Sequence, residues 1–324
     1  MTEADGGPGT GDTGSEIARP NVDLARAVGG AFVILLALAA AGYAIYRERS
    51  SFADALRSIS AGALVASFAF GLIGVLASYP MWREILEGLE VDMPWGPGFR
   101  VFFVSQLGKY LPGSVWPVVM QMEAGKARGA SRRTMFAGNI ITIFLNSAVG
   151  LLIACMLLPF YDAHVLARYW WALLAIPFLL ALLHPRAITG LLDWAFTRLH
   201  RPALHEHLEA GATVRASCWS VVSWLGMGMQ LGVLCAAVGN GAPSRYLLCI
   251  GAMALAIPLG VLFIPAPAGA GIRDVILVLV LSAPLGAGPA LGVVIVSRVL
   301  LIIGDLLLAG VAGAMRRWKN APAV

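Results

Sequence analysis

Long apolar segments constrain this chain more than any other feature of its sequence. A helix needs about 20 apolar residues to cross about 30 Å of hydrocarbon, and such segments recur along the chain. Only 13% of the 324 residues are charged and 59% are hydrophobic, which excludes an ordinary soluble domain. The sequence therefore predicts an all-α, polytopic membrane helix bundle, with six spanning helices at residues 27–46, 59–82, 134–159, 168–184, 214–238 and 287–315.

Two further apolar regions are interrupted in the middle. Residues 99–127 are broken at Pro112-Gly113, and residues 246–283 are broken between Pro265 and Gly271. Each break predicts two half-helices, because proline cannot continue a regular helix. The arms of the first region would be about 21 Å long, which favours a re-entrant hairpin. The second region is longer, and the sequence leaves open whether it re-enters or crosses twice.

Basic residues in the loops indicate the orientation. With the N-terminus in the cytoplasm, fifteen of the twenty loop cations lie inside, so the positive-inside rule favours a multi-pass plasma membrane protein with both termini cytoplasmic. The net charge of +5 thus reflects topology, and we expect no nucleic-acid partner.

The same topology predicts two halves of opposite orientation. We expect a disordered cytoplasmic tail at residues 1–25, a single transmembrane domain at 26–316 and a second tail at 317–324. Within the domain, halves at about 26–184 and 214–316 would form an inverted repeat, as in many transporters. An amphipathic pattern in the connecting segment, 185–213, predicts a cytoplasmic surface helix.

The first polar constellation lies at the first break. A half-helix beginning near Ser114, after Pro112 and Gly113, would direct free N–H groups and a positive dipole end into the protein, where they attract phosphate or carboxylate. Lys109 would add a full charge, and Gln106 a hydrogen bond. The alternative is that Lys109 extends to the membrane surface and the Pro-Gly pair is only a turn.

The second constellation follows the second break. Small residues, including Gly269 and Gly271, precede a helix that carries Arg273 and Asp274 in its first turn, which predicts an anion pocket approached from the other leaflet. The alternative is that Arg273 and Asp274 only cap the helix.

The third constellation lies in the last span. Arg298 and Asp305 are seven residues apart and share a helix face. Because unpaired charges are disfavoured in hydrocarbon, we expect Arg298 to pair with Asp274, and Asp305 to pair with Arg273 or Lys109. A purely structural network explains these charges equally well. The remaining embedded acid, Glu123, is included among the substrate-binding candidates, although it lies close to Lys126 and fits an interfacial position too.

The motifs YLPGSVW, KARGAS, PAPAGAGIRD and SRVLLIIGDLLLAG resemble the transmembrane, flippase-like domain of lysylphosphatidylglycerol synthases and its stand-alone relatives, over about residues 25–315. The resemblance implies a membrane domain that moves aminoacylated or otherwise modified phospholipid between leaflets. The sequence carries no counterpart of the cytosolic aminoacyl-transferring domain, so we expect no lipid lysylation by this chain alone.

The sequence thus favours a lipid translocation protein for an anionic or modified phospholipid or a polyprenyl-phosphate-linked lipid. Its expected partners are membrane lipids and a separate lipid-modifying enzyme. The alternatives are a membrane-embedded lipid or glycosyl transferase, or an accessory subunit of an envelope-building complex. No catalytic residue, metal or cofactor is expected, because the four cysteines are dispersed and no HExxH or ATP-binding motif occurs.

The charge distribution makes a testable prediction about orientation. In intact cells, and in a variant whose native cysteines are replaced, His205→Cys should resist an impermeant thiol reagent while Ala163→Cys reacts. Permeabilised cells, in which both positions should react, are the control. Labelling of position 205 but not 163 in intact cells would reverse the orientation.

Overall fold

The computed structural model describes residues 49–110, 115–126, 130–161, 167, 170–198, 208–239, 242–261 and 271–319. Within these ranges the protein is almost entirely helical and contains no strand, which confirms the predicted all-α class. The α-helices are α1 (Arg49–Ser58), α2 (Ala61–Gly88), α3 (Trp95–Gln106), α4 (Trp116–Lys126), α5 (Arg132–Leu157), α6 (Ala175–Leu182), α7 (Pro185–Arg198), α8 (Ala210–Val238), α9 (Pro243–Val261), α10 (Ile272–Leu285) and α11 (Ala287–Lys319).

Serine side chains cap the N-termini of two of the long helices. The hydroxyl of Ser60 accepts from the N–H of Ala63 at 3.2 Å at the start of α2, and Ser131 accepts from Thr134 at 2.9 Å at the start of α5. Each satisfies one of the backbone donors that a helix leaves free at its first turn.

Five described helices are long and apolar enough to cross a membrane: α2, α5 with the short turn that follows it, α8, α9 and α11. Four of them match predicted spans. The predicted span at 27–46 lies outside the described residues. Helix α9 belongs to the second interrupted region, and its 19 residues make this arm long enough to cross.

The segment at 168–184 differs from the single span that we predicted. Its described part is a five-residue 3₁₀ turn, Trp170–Leu174, followed by the eight residues of α6. Pro177 has no N–H to donate to the carbonyl of residue 173, so a regular α-helix cannot run through this point undisturbed. The amphipathic segment that follows forms α7, as expected; its position on the membrane surface stays a prediction.

Backbone contact between α2 and α8 forms the centre of the bundle. A Cβ atom added to Gly226 would lie 2.6 Å from the backbone nitrogen of Gly74, and Ser223 donates a hydrogen bond to the carbonyl of Gly74 at 2.7 Å. Small residues permit this approach in membrane helices.

The two central helices run antiparallel. Towards the start of α2, Ser67 donates to the carbonyl of Gln230 at 2.9 Å, late in α8. Towards the end of α2, Glu84 forms an ion pair with Arg215, early in α8, at 2.6 Å. Contacts at both ends therefore fix the pairing along most of its length.

The remaining long helices pack around this pair. Helices α5 and α11 each contact both α2 and α8, but they have no extensive contact with each other. Large apolar side chains on the outside of the bundle are exposed, such as Val65 (70%) and Leu279 (69%). Such exposure is expected where the neighbour is lipid instead of water.

The close contact between α2 and α8 predicts that the stability of the fold depends strongly on glycine at position 74. In Gly74→Ala the new Cβ would lie 2.8 Å from the nitrogen of Met227 and 2.9 Å from the carbonyl oxygen of Ser223. Because backbone cannot move aside easily, overpacking should destabilise the fold by about 1–3 kcal/mol, seen as a lower thermal unfolding temperature in detergent. Gly310→Ala is the matched control, since no atom lies within 4 Å of its Cβ position. Equal stability of the two variants would contradict the close contact.

Candidate functional site

A cavity of about 340 Å³ is lined by residues from both the N-terminal and the C-terminal parts of the described chain. Helices α2, α3, α4 and α5 contribute lining residues from the earlier part of the sequence, and helices α8, α9, α10 and α11 contribute them from the later part. Both predicted breaks fall outside the described residues. Their flanks, however, meet here: Tyr110 just before the first break and Arg273 just after the second both line the cavity.

Asp305 of α11 receives two donors from the segment before the first break. The ammonium of Lys109 lies 2.7 Å from its Oδ2 atom, and the hydroxyl of Tyr110 donates to the same oxygen at 2.5 Å. The carboxylate is only 3% exposed, whereas the Lys109 side chain is 30% exposed. This ion pair thus connects the first broken region to the last helix.

Asp274 of α10 forms the second ion pair, with Arg298 of α11. The same carboxylate oxygen accepts from the backbone N–H of Gly271 at 3.2 Å. Gly271 has a φ angle of 92°, a conformation that glycine adopts without strain. One of the backbone donors that we expected to be free at this helix start is therefore occupied by Asp274.

Arg273 differs from these paired charges. Its Nε atom is buried and has no hydrogen-bond partner among the described residues. Within the same part of the chain, no carboxylate lies within 4 Å of its guanidinium. Arg273 therefore brings to the cavity a charge that the described acids do not directly neutralise.

The structure brings together most, but not all, of the predicted site residues. Gln106, Lys109, Arg273, Arg298 and Asp305 line the cavity, and Asp274 and Gly271 adjoin it through the contacts above. Both charge pairs anticipated from the sequence, Arg298 with Asp274 and Lys109 with Asp305, are present. The predicted residues that lie outside the described ranges are Pro112, Gly113, Ser114 and Gly269.

Glu123 is not part of this group. It lies outside the cavity lining and pairs with Arg132 at 2.7 Å, with both side chains about half exposed. The hydrogen bond from Arg132 lowers the pKa of Glu123 below its usual value. Arg132 is the first residue of the neighbouring helix α5. Its ion pair with Glu123 accounts for the position of this acid without a ligand.

Sequence reasoning missed Tyr110 and a set of uncharged polar residues that line the same cavity. On α5 these residues follow an i, i+3, i+7 spacing, which places them on one helix face. That periodicity was visible in the sequence, but uncharged polar residues within an apolar span carry a weaker signal than charges. The polar residues missed are Gln121 on α4 and Asn139, Thr142 and Asn146 on α5.

The described residues contain no cluster of three histidine, cysteine or acidic side chains that could hold a metal ion. The cavity instead presents three cationic side chains, Lys109, Arg273 and Arg298, which we term the cationic wall. Two carboxylates, Asp305 and Asp274, lie against it. The formal balance is one excess positive charge, which suits a monoanionic group.

Fold and cavity together define a multi-pass α-helical membrane protein with a charged internal site. The chain belongs to the family described as the lysylphosphatidylglycerol synthase TM region, whose family model matches residues 24–309. No curated protein matches the sequence significantly.

The Lys109–Asp305 pair predicts a coupled loss of stability. Lys109→Met leaves the buried Asp305 carboxylate with Tyr110 alone, and should cost about 2 kcal/mol or more, since an uncompensated buried charge is strongly destabilising. Asp305→Asn should restore part of the loss in the double variant, which a thermal unfolding cycle of the four proteins would measure. Lys126→Met, which removes an exposed lysine on α4, is the control. Additive effects of the two site changes would show that the pair contributes no stability.

Proposed function

We propose that this protein moves a phosphate-bearing lipid between the leaflets of the membrane, with the head group passing through the cavity and the acyl chains remaining in lipid. The observation that carries the proposal is the cationic wall. Three cations face one cavity, and the buried Nε of Arg273 has no described partner. A membrane-embedded cation is costly, and an anionic head group would offset that cost.

Exposed apolar residues at the cavity favour a lipid over a water-soluble anion. Ile143 and Val261 line the cavity, and they are 41% and 46% exposed. The cavity therefore includes exposed apolar side chains that suit acyl chains. A lipid could place its phosphate at the cationic wall while its tails pass between these residues.

The order of elements supports an inverted repeat around the site. In the first half α2, α3, α4 and α5 follow in sequence, and in the second half α8, α9, α10 and α11 follow in the same order, with the break predicted from the sequence between the second and third helix of each set. The equivalent helices α2 and α8 are antiparallel, as a two-fold axis in the membrane plane would require. We propose that the two half-sites open to opposite leaflets through this relation, with both termini in the cytoplasm and the protein in the plasma membrane.

The competing function is a membrane-embedded transferase that uses an acid as base. Asp305 is the acid at the cavity, but its Oδ2 atom already accepts from Lys109 and Tyr110. Both contacts would have to break before that oxygen could accept a proton from a substrate. The geometry therefore favours translocation, with a separate enzyme as the source or consumer of the lipid.

Arg273→Gln tests the proposal because it removes the charge at similar side-chain length. In vesicles reconstituted with the full chain, fluorescent phosphatidylglycerol and fluorescent polyprenyl phosphate should be offered separately. We expect the wild type to expose at least one of them to an external quencher, and the variant to lose at least about tenfold in rate, the effect of 1.4 kcal/mol on a barrier. Its thermal stability should change little, since no described acid loses its partner.

Arg186→Gln is the matched control, because Arg186 is exposed on α7, away from the cavity, and should keep full activity. Two results would contradict the proposal. One is an inert wild type with both lipids, and the other is an active Arg273→Gln variant. A large loss of stability in Arg273→Gln would instead assign the arginine a structural role.

A further inference from the structure

A second, uncharged polar surface lies in the same cavity as the cationic wall. It consists of Gln121 on α4 and Asn139, Thr142 and Asn146 on α5, which we term the amide wall. Helix α5 is otherwise strongly apolar, and amide groups in a membrane interior are unfavourable unless they are hydrogen-bonded. Their concentration at one cavity therefore calls for an account beyond packing.

Hydrogen bonds within the protein hold several of these groups in place. Asn139 accepts from the indole N–H of Trp82 at 3.1 Å and donates to the carbonyl of Met135 at 2.8 Å. The Oδ1 atom of Asn146 accepts from Ser220 at 2.7 Å. These hydrogen bonds hold the side chains of Asn139 and Asn146 in fixed orientations, which lowers the entropy cost of any contact with a ligand.

Gln121 has an acceptor that these contacts leave unused. Its Nε2 atom donates to Ser105 at 2.8 Å, and the residue is only 2% exposed. Its Oε1 atom is buried without a hydrogen-bond partner in the described part of the chain. The Oδ1 atom of Asp305, which lines the same cavity, is likewise buried without a described partner. Two buried acceptors at one cavity would be satisfied by a ligand that carries hydrogen-bond donors.

The two walls stand on different helices. Helix α5 carries most of the amide wall and α11 carries Arg298 and Asp305; both pack on α2 and α8 without extensive contact with each other. A ligand in the cavity can therefore meet both cationic donors and neutral acceptors. The ligand that complements this cavity is an anionic phosphate joined to a group that carries hydroxyl donors.

The charge of the cavity indicates whether the hydrogen-bond donors of the ligand are hydroxyl groups or amines. The described acid that lines the cavity, Asp305, is already paired with Lys109, and the amide wall contains no carboxylate. An ammonium group could donate to the open Oδ1 atom of Asp305, but it would add to the excess positive charge of the cationic wall, because Lys109 already balances the charge of Asp305. A neutral hydroxyl group would satisfy the same acceptors without this repulsion.

We propose that the amide wall selects lipids whose phosphate carries an uncharged polyol or sugar, through hydrogen bonds from its hydroxyls to Gln121 and neighbouring acceptors. The inference rests on the proposed function, since it assumes that the cationic wall holds the lipid phosphate. It assigns to Gln121 the role of a specificity residue and to Arg273 that of an affinity residue.

The test compares short-chain lipids that differ only in the group esterified to phosphate. Binding of dihexanoyl phosphatidylglycerol, phosphatidylmethanol and phosphatidylethanolamine to the purified full chain in detergent would be measured by microscale thermophoresis. Phosphatidylglycerol and phosphatidylmethanol share one negative charge and the same tails, and differ by two hydroxyls. We expect tighter binding of phosphatidylglycerol by about 3- to 30-fold, the effect of one or two hydrogen bonds, with phosphatidylethanolamine the weakest.

Variants then distinguish the contributions of the amide wall and the cationic wall to lipid binding. Gln121→Met should bring phosphatidylglycerol to the affinity of phosphatidylmethanol, whereas Arg273→Gln should weaken both lipids and keep their ratio. Gln230→Met is the matched control, because Gln230 is an equally buried amide outside the cavity lining and should keep the wild-type ratio. Glycerophosphoglycerol, the same diester without acyl chains, should bind more weakly than the lipid.

Failure of this inference is distinguishable from failure of the proposed function. Equal wild-type affinities for phosphatidylglycerol and phosphatidylmethanol, with Arg273→Gln weakening both, would overturn head-group selection alone. Preferred binding of phosphatidylethanolamine would overturn it in favour of a cationic head group, and the wild-type comparison decides this even if Gln121→Met does not fold. No binding of any lipid, or no effect of Arg273→Gln, would overturn the anion site itself. Glycerophosphoglycerol binding as tightly as the lipid would indicate a soluble polyol phosphate as the ligand.

Discussion

The contact between Gly74 and Gly226 is the constraint on which the rest of the structure depends. It brings the backbones of α2 and α8 together at the middle of the bundle, and Ser223 reinforces it with a hydrogen bond to Gly74. Helices α5 and α11 then pack on this central pair. Because neither helix contacts the other extensively, the polar face of one and the charges of the other are left to line a common cavity. A larger residue at the crossing would separate α2 from α8 and alter both walls.

Pairing explains most of the embedded charges but not all of them. Ion pairs in low dielectric offset a large desolvation cost only when their geometry is good and their remaining atoms are satisfied. Lys109 with Asp305 meets the first condition at 2.7 Å, and Arg298 is paired with Asp274. Arg273 Nε and the Oδ1 atoms of both acids leave the second unmet among the described residues. A network that served stability alone would have little use for such atoms, which is the physical reason for proposing a ligand in the cavity.

The hydropathy of the sequence was sufficient to predict most of the long helices that are exposed to lipid. Four apolar segments became α2, α5, α8 and α11 at nearly the expected positions, because a long apolar run has few other stable conformations in a bilayer. The segment at 168–184 was divided differently, since average hydropathy does not register the local effect of Pro177. The charge pairs were predictable because few embedded partners exist for each charge. Tyr110, Gln121 and the polar face of α5 were not, because nothing local shows which side of an apolar helix meets a cavity.

The arrangement of charges also bears on how a proposed translocation would obtain its direction. Fixed cations and preorganised amides lower the barrier to a phosphate head group by replacing water within the membrane. A single binding site that stabilises the head group midway accelerates crossing in both directions, since it changes no difference in free energy between the leaflets. Net movement by such a site would follow the gradient of its lipid, so an enzyme that makes the lipid on one side or consumes it on the other would set the direction. Selectivity for the head group then matters more than affinity, because a path open to every phospholipid would dissipate the asymmetry of the membrane.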